Sequence, residues 1–582
     1  MVVIQGNAGA PGIAAGRVLV KRARAAAIVR NGVADREREI ARLEAARREC
    51  IAQTTQMYEY TLREIGEQEA AIFKAHRLML QDDEFFAEVA AAIRADGVNA
   101  EWALQEAEGR LTGLFAGMET AYLQERAADV RDVVQSVIDR LLGEGDAWPE
   151  TPDQGPLILA AHDLTPSDTL KLDKGSLAGL LTEVGGTTSH TVILAKTLGI
   201  PAITGISRLL ERVPHGATLM MDGTAGAVYL DPEPRVREEL LARKAAQERR
   251  QRAAAVVARQ AAFTRDGRRI RVCGNLGDLE ECDAILQNGG EGIGLYRTEF
   301  LYMGHSDYPS EAEQFAAYQT IARKLQGNEV VIRTLDIGGD KKLSYLELPR
   351  EDNPFLGYRA IRIGLNEPEL LLTQLQAILR ASAFGNVKIM FPMIVTLEEL
   401  LQAKRLVAEA GRQLRREGAA FNERIPVGIM IETPAAAVMA RALAREADFF
   451  SIGSNDLIQY VTAADRLNAK VQYLYDPRNL AVLRLIRQVA DAAHAAGIPV
   501  SVCGEMASDE KLLPLLVGMG IDKFSATPNA IPRLKLAIGR LNAGELRPAA
   551  EQILECSLID EVERGLAALH AQYLEDDVAE QC

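Results

Sequence analysis

The stretch Val427-Gly428-Ile429-Met430-Ile431-Glu432 is a short apolar run that ends on an acid. A run of this length and composition reads as a buried strand. Similar runs surround it: Ile270–Cys273, Gly292–Tyr296, Val330–Arg333, the weaker Ala360–Ile363, Val387–Phe391, Phe449–Ile452 and Pro499–Cys503. Helix-length segments separate them, and with Val427–Ile431 they make the count expected of a (β/α)8 barrel over residues 263–582. An open doubly wound sheet is the alternative, but no glycine-rich nucleotide fingerprint follows the first run.

Polar residues cluster at or just after the ends of these runs. They are Arg297, Arg333 and Asp336, Glu432, Asn455 and Asp456, and Cys503 with Glu505. A barrel brings all of them to one face, where barrel active sites lie. Arginine forks suit a substrate carrying carboxylate and phosphate, and Glu432 and Asp456 are hard oxygen ligands suited to Mg2+. A lone strand-end arginine is ordinarily half of a structural ion pair, but the repetition at successive strand ends argues for a site. Cys503 reads either as a small buried hydrophobe or as a proton donor, whereas nothing around Cys273 asks for chemistry.

N-terminal to the barrel, residues 232–262 are rich in Arg, Glu and Ala and predict a long exposed helix, a spacer or a hinge. Residues 1–30 and 146–231 have β/α texture and form one expected domain, with a hairpin at Asp222-Gly223. Residues 31–145 read as four helical segments, a bundle inserted into that domain. Inside the β/α domain, Gly185-Gly186-Thr187-Thr188-Ser189-His190 runs into the helical pattern Val192–Leu198. That puts an imidazole at a helix N-terminus, where unpaired N–H groups and the helix dipole favour an anion on the side chain. The other reading is a capping serine beside an incidental histidine.

The chain has 582 residues, 48% hydrophobic and 25% charged, which describes a globular protein of several units. A net charge of −15 argues against general nucleic-acid binding. No apolar run reaches membrane-spanning length and no signal peptide opens the chain, so a cytoplasmic location is expected. The six cysteines form no CxxC pair, so neither a disulfide framework nor a zinc site is expected.

Four motifs in order resemble the phosphoenolpyruvate-protein phosphotransferase family, enzyme I of the bacterial phosphoenolpyruvate:sugar phosphotransferase system. They are Gly185–Thr191, Gly428–Pro434, Asp448–Tyr460 continuing to Asp465-Arg466, and Cys503-Gly504-Glu505-Met506-Ala507. The resemblance implies a swivelling phosphohistidine domain with an inserted helical HPr-binding subdomain, a linker helix and a phosphoenolpyruvate-binding barrel that dimerises. It implies that His190 takes the phosphoryl group from phosphoenolpyruvate, releasing pyruvate, and passes it to a histidine of the carrier HPr. Arg297, Arg333, Arg359, Asn455 and Arg466 would hold the substrate, Glu432 and Asp456 would bind Mg2+, and Cys503 would protonate the enolate. His76, Leu78, Met79, Asp82, Glu84 and Phe85 would face HPr; the acidic residues among them otherwise read as a solvated face.

Two positions depart from the family pattern. Lys196 stands where arginine is common, which keeps the charge but not the fork. Leu467-Asn468 replaces the usual Gly-Asn beside Arg466. Rival readings are a dikinase or phosphoenolpyruvate synthase relative, for which no P-loop or comparable segment is seen; a paralogue serving a nitrogen-type regulatory phosphorelay, which usually carries an extra N-terminal sensory domain; and a catalytically silent scaffold.

Overall fold

The computed structural model describes residues 1–21, 28–64, 67–116, 121–142, 155–162, 164, 176–184, 192, 195, 199–303, 305, 307–339, 341, 343, 345–346, 348–349, 351–468 and 470–575. The chain divides into two compact units, Met1–Glu248 and Arg249–Cys582.

The first unit holds an eight-stranded sheet in the order β1-β8-β7-β3-β4-β5-β6-β2. The strands are β1 (Val2–Gln5), β2 (Asn7–Ala10), β3 (Ile13–Lys21), β4 (Leu157–Ala161), β5 (Leu177–Thr182), β6 (Ala202–Thr204), β7 (Thr218–Asp222) and β8 (Ala227–Leu230). Strands β3 to β6 run parallel, and β7 and β8 form the expected hairpin. Asp222 fixes its turn by accepting from the Thr224 and Ala225 amides at 3.0 and 3.1 Å.

β3 and β4 are hydrogen-bonded neighbours, Arg17 opposite Leu157. Among the described residues five helices therefore intervene between adjacent strands: α1 (Arg36–Glu64), α2 (Glu67–Leu80), α3 (Asp83–Asp96), α4 (Ala100–Ala116) and α5 (Ala121–Leu141). The expected fourth helical segment is a pair, with α4 packed against α5. The apolar period runs through both helices, and periodicity alone does not register a reversal of direction. α3 is bounded by local chemistry: Asp82 accepts from the Glu84 and Phe85 amides, and Gly97 ends the helix at φ 60°. Leu43, Phe86, Val89, Ile93, Leu104 and Val137 fill the bundle core. Burying a side chain the size of Phe86 is worth about 1.5–3 kcal/mol.

The long helix α6 (Pro234–Val257) starts with proline at its first position, where no N–H is needed. Within the first unit Leu240 packs with Ile13 and Met220, and Arg243 pairs with Asp222 at 2.8 Å. Within the second, Arg250 pairs with Glu510 at 2.5 Å, and Lys535 donates to the Ala258 and Gln260 carbonyls just past the helix.

The second unit is a closed barrel of eight parallel strands. They are β9 (Arg271–Leu276), β10 (Gly292–Arg297), β11 (Glu329–Arg333), β12 (Asn386–Phe391), β13 (Val427–Ile431), β14 (Phe450–Gly453), β15 (Val500–Cys503) and β16 (Lys523–Ala526). One expected strand is corrected. Ala360–Ile363 is not a strand: Ala360 has φ 54° and a helix covers Ile361–Asn366. Lys523–Ala526 completes the barrel instead. Its polar residues hide it, because Lys523 is buried against Glu329, and Ser525 donates to the Gly274 carbonyl and Asn275 Oδ1. Inside the barrel Leu295, Val331, Met390, Met430, Phe449 and Cys503 form an apolar plug, while Ile332, Ile389, Ile429 and Val502 belong to the larger core that includes the surrounding helices.

Candidate active site at the mouth of the barrel

Strand register sets the site. Arg297 and Arg333, the last residues of β10 and β11, lie opposite one another, and Gly453 lies opposite Cys503 at the ends of β14 and β15. Thr298 Oγ1 donates to the Arg333 carbonyl at 2.9 Å, tying the first two ends together.

Glu432 directly follows β13 and is fully buried. Thr433 behind it caps the helix Pro434–Val438, accepting from the Ala436 amide at 3.1 Å, and its hydroxyl donates to the Ile394 carbonyl. Glu432 Oε1 accepts the Met393 amide at 2.6 Å, whereas Oε2 has no hydrogen-bond partner among the described residues. Gly453 makes room for it, since a Cβ there would lie 2.9 Å from Oε2. Burial first, then the Asp456 and Asp336 charges, push this carboxyl up to about 8 against the opposing pull of Arg333 and Arg359.

The arginines are held by two buried acids. Arg333 pairs with Glu299 at 2.5 Å and with Asp336 at 3.1 Å. Arg359 donates to Asp336 at 2.8 Å and to the Tyr460 hydroxyl at 3.1 Å, and stands 3.7 Å from Asp456. Lys341 pairs with Glu299 and lies 3.8 Å from Asp336. Burial opposes the charge on Glu299 and Asp336, yet the surrounding cations outweigh it and hold both below the usual carboxylate range. Arg466 Nη1 stands 3.4 Å from Asp456, and its guanidinium lies over the Phe355 ring at 5.6 Å. Arg297 is half-buried and forms no ion pair among the described residues.

Asn455 Oδ1 accepts the Glu505 amide at 3.1 Å, and Ser454 Oγ donates to the Cys503 carbonyl at 2.7 Å. Gly504, at φ 86°, permits this approach, because a Cβ there would lie 2.7 Å from Asn455 Oδ1. Cys503 is buried in the plug and its Sγ–H faces the Ile452 carbonyl at 3.3 Å. Burial pushes this thiol up, so it stays protonated through the neutral range; Arg333 and Arg297 pull the other way.

One mouth therefore gathers Arg297, Arg333, Arg359, Glu432, Asn455, Asp456, Arg466 and Cys503. Sequence reasoning missed Glu299, Lys341 and Tyr460. Glu299 had a signal, an acid two residues beyond a strand-end arginine; Lys341 and Tyr460 sit in irregular chain and on a helix flank, where no period marks them. His190 and Lys196 lie outside the described residues. Nearby, Val192 approaches Gly9, where a Cβ would stand 2.7 Å from its methyl, and Ala195 is in the core.

In the bundle, Leu78 is 60% exposed and Asp82 and Glu84 are exposed, while Met79 and Phe85 are half-buried. His76 is 4% exposed, its Nδ1 3.6 Å from Asp132 and its ring edge-on to Phe73. Leu467 is exposed beside Arg466. Among the described residues no helix is long and apolar enough to cross a membrane.

Three family models match in succession: PEP-utilising enzyme, N-terminal, over residues 5–126; its mobile domain over 154–226; and its PEP-binding domain over 251–543. With the barrel and its arginine-rich mouth, they define a phosphoenolpyruvate-utilising enzyme. The chain is 43% identical over 560 residues to a protein of Priestia megaterium named phosphoenolpyruvate-protein phosphotransferase, covering 96% of this chain and 97% of that one. It is 44% identical to the protein of that name from Geobacillus stearothermophilus, over 96% of each chain. With that from Bacillus subtilis it shares 43% identity over 92% of this chain and 94% of that one. The chain belongs to the phosphoenolpyruvate-protein phosphotransferase family, and it transfers a phosphoryl group from phosphoenolpyruvate to protein. Enzymes of this family use a divalent metal.

Proposed function

We propose that the chain phosphorylates its own His190 from phosphoenolpyruvate and passes the group to a histidine of HPr, as the first step of a sugar phosphotransferase system. The observation that carries this reading is the convergence of Arg333 and Arg359 on the Glu432 and Asp456 pair, with Cys503 beneath. A neutral nitrogen of His190 attacks phosphorus, a P–N bond forms as the bridging P–O bond breaks, and the electron pair passes to the enolate. Arg297, Arg333, Arg359, Arg466 and Asn455 orient phosphate and carboxylate and offset the charge on the transferring group. The Cys503 thiol gives its proton to the enolate carbon, yielding pyruvate, and is reprotonated from water.

The donor set fits Mg2+. Glu432 Oε2 is a buried carboxylate oxygen without a hydrogen-bond partner, and burial and neighbouring acids disfavour its charge unless a cation joins it. Among the described residues no cluster of three or more His, Cys, Asp or Glu is arranged to hold a metal. Glu432 and Asp456 would hold the ion, which would supply further charge neutralisation. The proposal includes the domain boundaries drawn from the sequence, a cytoplasmic location, dimerisation through the barrel, and an HPr surface around Leu78, Met79, Asp82, Glu84 and Phe85, with His76 shaping it from beneath.

Purified protein incubated with labelled phosphoenolpyruvate and Mg2+ should acquire acid-labile label and hand it to added HPr. Retention of that label by His190→Ala would sink the assignment, and label that HPr does not remove would point to a different carrier.

A further inference from the structure

Three of the proposed substrate and metal groups, Arg359, Asp456 and Arg466, come from two stretches of chain. Arg359 follows β11 in a long connection, and Asp456 and Arg466 belong to the helix Ser454–Thr462 and the loop after it. Tyr460 joins them. It lies one helical turn after Asp456, on the same face. Its hydroxyl donates to the Phe355 carbonyl and accepts from Arg359 Nη1 at 3.1 Å. The Phe355 ring in turn lies beneath the Arg466 guanidinium, 5.6 Å away. Gly339, at φ 69°, lets the ring in, since a Cβ there would stand 3.1 Å from it.

Arg359 Nη1 has a second neighbour, Asp456 Oδ1, at 3.7 Å. Arg359 Nη2 is committed to Asp336 and Nε faces neither group, so the phenol and Asp456 both draw on Nη1. Without the phenol oxygen, Arg359 Nη1 would be left to Asp456 Oδ1, which Arg466 Nη1 already contacts at 3.4 Å, and a phosphate-binding fork would be drawn onto a proposed metal-binding carboxylate.

We propose that Tyr460 is a positioning residue: its hydroxyl keeps Arg359 Nη1 from closing fully onto Asp456 and, through Phe355, seats the aromatic floor of Arg466, so that the Arg359 fork is presented to substrate. The inference rests on the reading that Arg359 and Arg466 bind phosphoenolpyruvate and that Asp456 binds the metal.

The test is single-turnover pyruvate release by the full-length protein, with phosphoenolpyruvate and Mg2+ each varied. Tyr460→Phe should raise the half-saturating phosphoenolpyruvate on the order of tenfold and raise the half-saturating Mg2+, with the plateau rate within about threefold of the parent. Arg359→Lys, which removes the fork, should weaken substrate as well, and the double variant should be less impaired than the product of the two effects. Phe355→Leu keeps bulk but removes the ring under Arg466, and should raise half-saturating phosphoenolpyruvate by itself. Unchanged half-saturation in Tyr460→Phe, alongside a weakened Arg359→Lys, overturns the inference and leaves the substrate reading standing. A plateau rate that falls as far as affinity overturns it in favour of general loosening. Parent-like half-saturation in both Arg359→Lys and Arg466→Lys removes the substrate reading, and this inference with it.

Discussion

Glu329 and Arg333 stand four residues apart on β11, both turned into the barrel, one at its floor and one at its mouth. The floor closes on itself. Glu329 Oε1 accepts Lys523 at 2.7 Å, Oε2 accepts Lys388 at 2.9 Å, and Arg271 stands 3.9 Å away. Burial alone would raise this carboxyl, but Lys523 and Lys388 outweigh it and hold it at about 2. The mouth is as deeply buried and is left open, with Glu432 Oε2, Glu299 Oε2, Arg333 Nε and Arg359 Nε lacking hydrogen-bond partners among the described residues. A buried polar atom without a partner costs about 1–3 kcal/mol. Such atoms collect where a ligand is to supply the missing contacts, so the floor reads as stability and the mouth as chemistry.

Exchanging charge for amide at each end tests the contrast most severely. Glu432→Gln should cut kcat/KM for phosphoenolpyruvate by about a thousandfold, about 4 kcal/mol of transition-state stabilisation, because the proposed metal ligand is lost. Its melting temperature without metal should not fall. Glu329→Gln should do the opposite, costing about 3 kcal/mol of unfolding free energy by leaving buried cations unpaired, with turnover unchanged. If Glu329→Gln also abolished turnover while remaining folded, the division between floor and mouth would be wrong.

The two buried cysteines sharpen it. Cys273, on β9, faces Glu329 at 3.6 Å, and burial pushes its thiol up to about 12. Cys503 sits at the end of β15 beneath the arginines. Cys503→Ser should slow pyruvate release by about a hundredfold, since a hydroxyl would be a poorer donor in the proposed protonation of the enolate. Cys273→Ser should leave the rate within about twofold of the parent, the general acid–base contribution being absent there. Equal rates in the two variants, measured by rapid-quench pyruvate formation, would mean that position on the strand does not decide the role.

The same contrast explains what could be read before folding. Residues that end β-rich runs announce the mouth, because each closes or follows a visible apolar stretch: Arg297 after Gly292–Tyr296, Glu432 after Val427–Ile431, Cys503 as the last residue of Pro499–Cys503. The floor was silent, since Glu329 and Lys523 begin their strands and look like loop residues. Lys523–Ala526 was missed for that reason, its burial resting on an ion pair and hydroxyl bonds and not on apolar area. Ala360–Ile363 misled in the other direction, as the two isoleucines in alternation start a short helix in which both are buried. Lys341 and Tyr460 became legible only through their partners.

Proton linkage separates the two ends with opposite signs. Glu432 is raised in the folded protein, from about 4.5 to about 8, so the folded state holds the extra proton and stability without metal falls as pH rises through that window. Glu329 is lowered from 4.5 to about 2, so its contribution is present above the upper value and is lost as pH falls through that lower window. Each proton gives a slope of about 1.4 kcal/mol per pH unit. The measurement is urea unfolding of the metal-free parent against Glu432→Gln between pH 5 and 8, at roughly one-unit steps. The variant should gain on the parent steadily toward pH 8, and added Mg2+ should narrow the gap by binding only the ionised carboxylate of the parent. Parallel pH curves for the two proteins would show that the open carboxylate at the mouth is not held protonated, and the contrast with the floor would then rest on geometry alone.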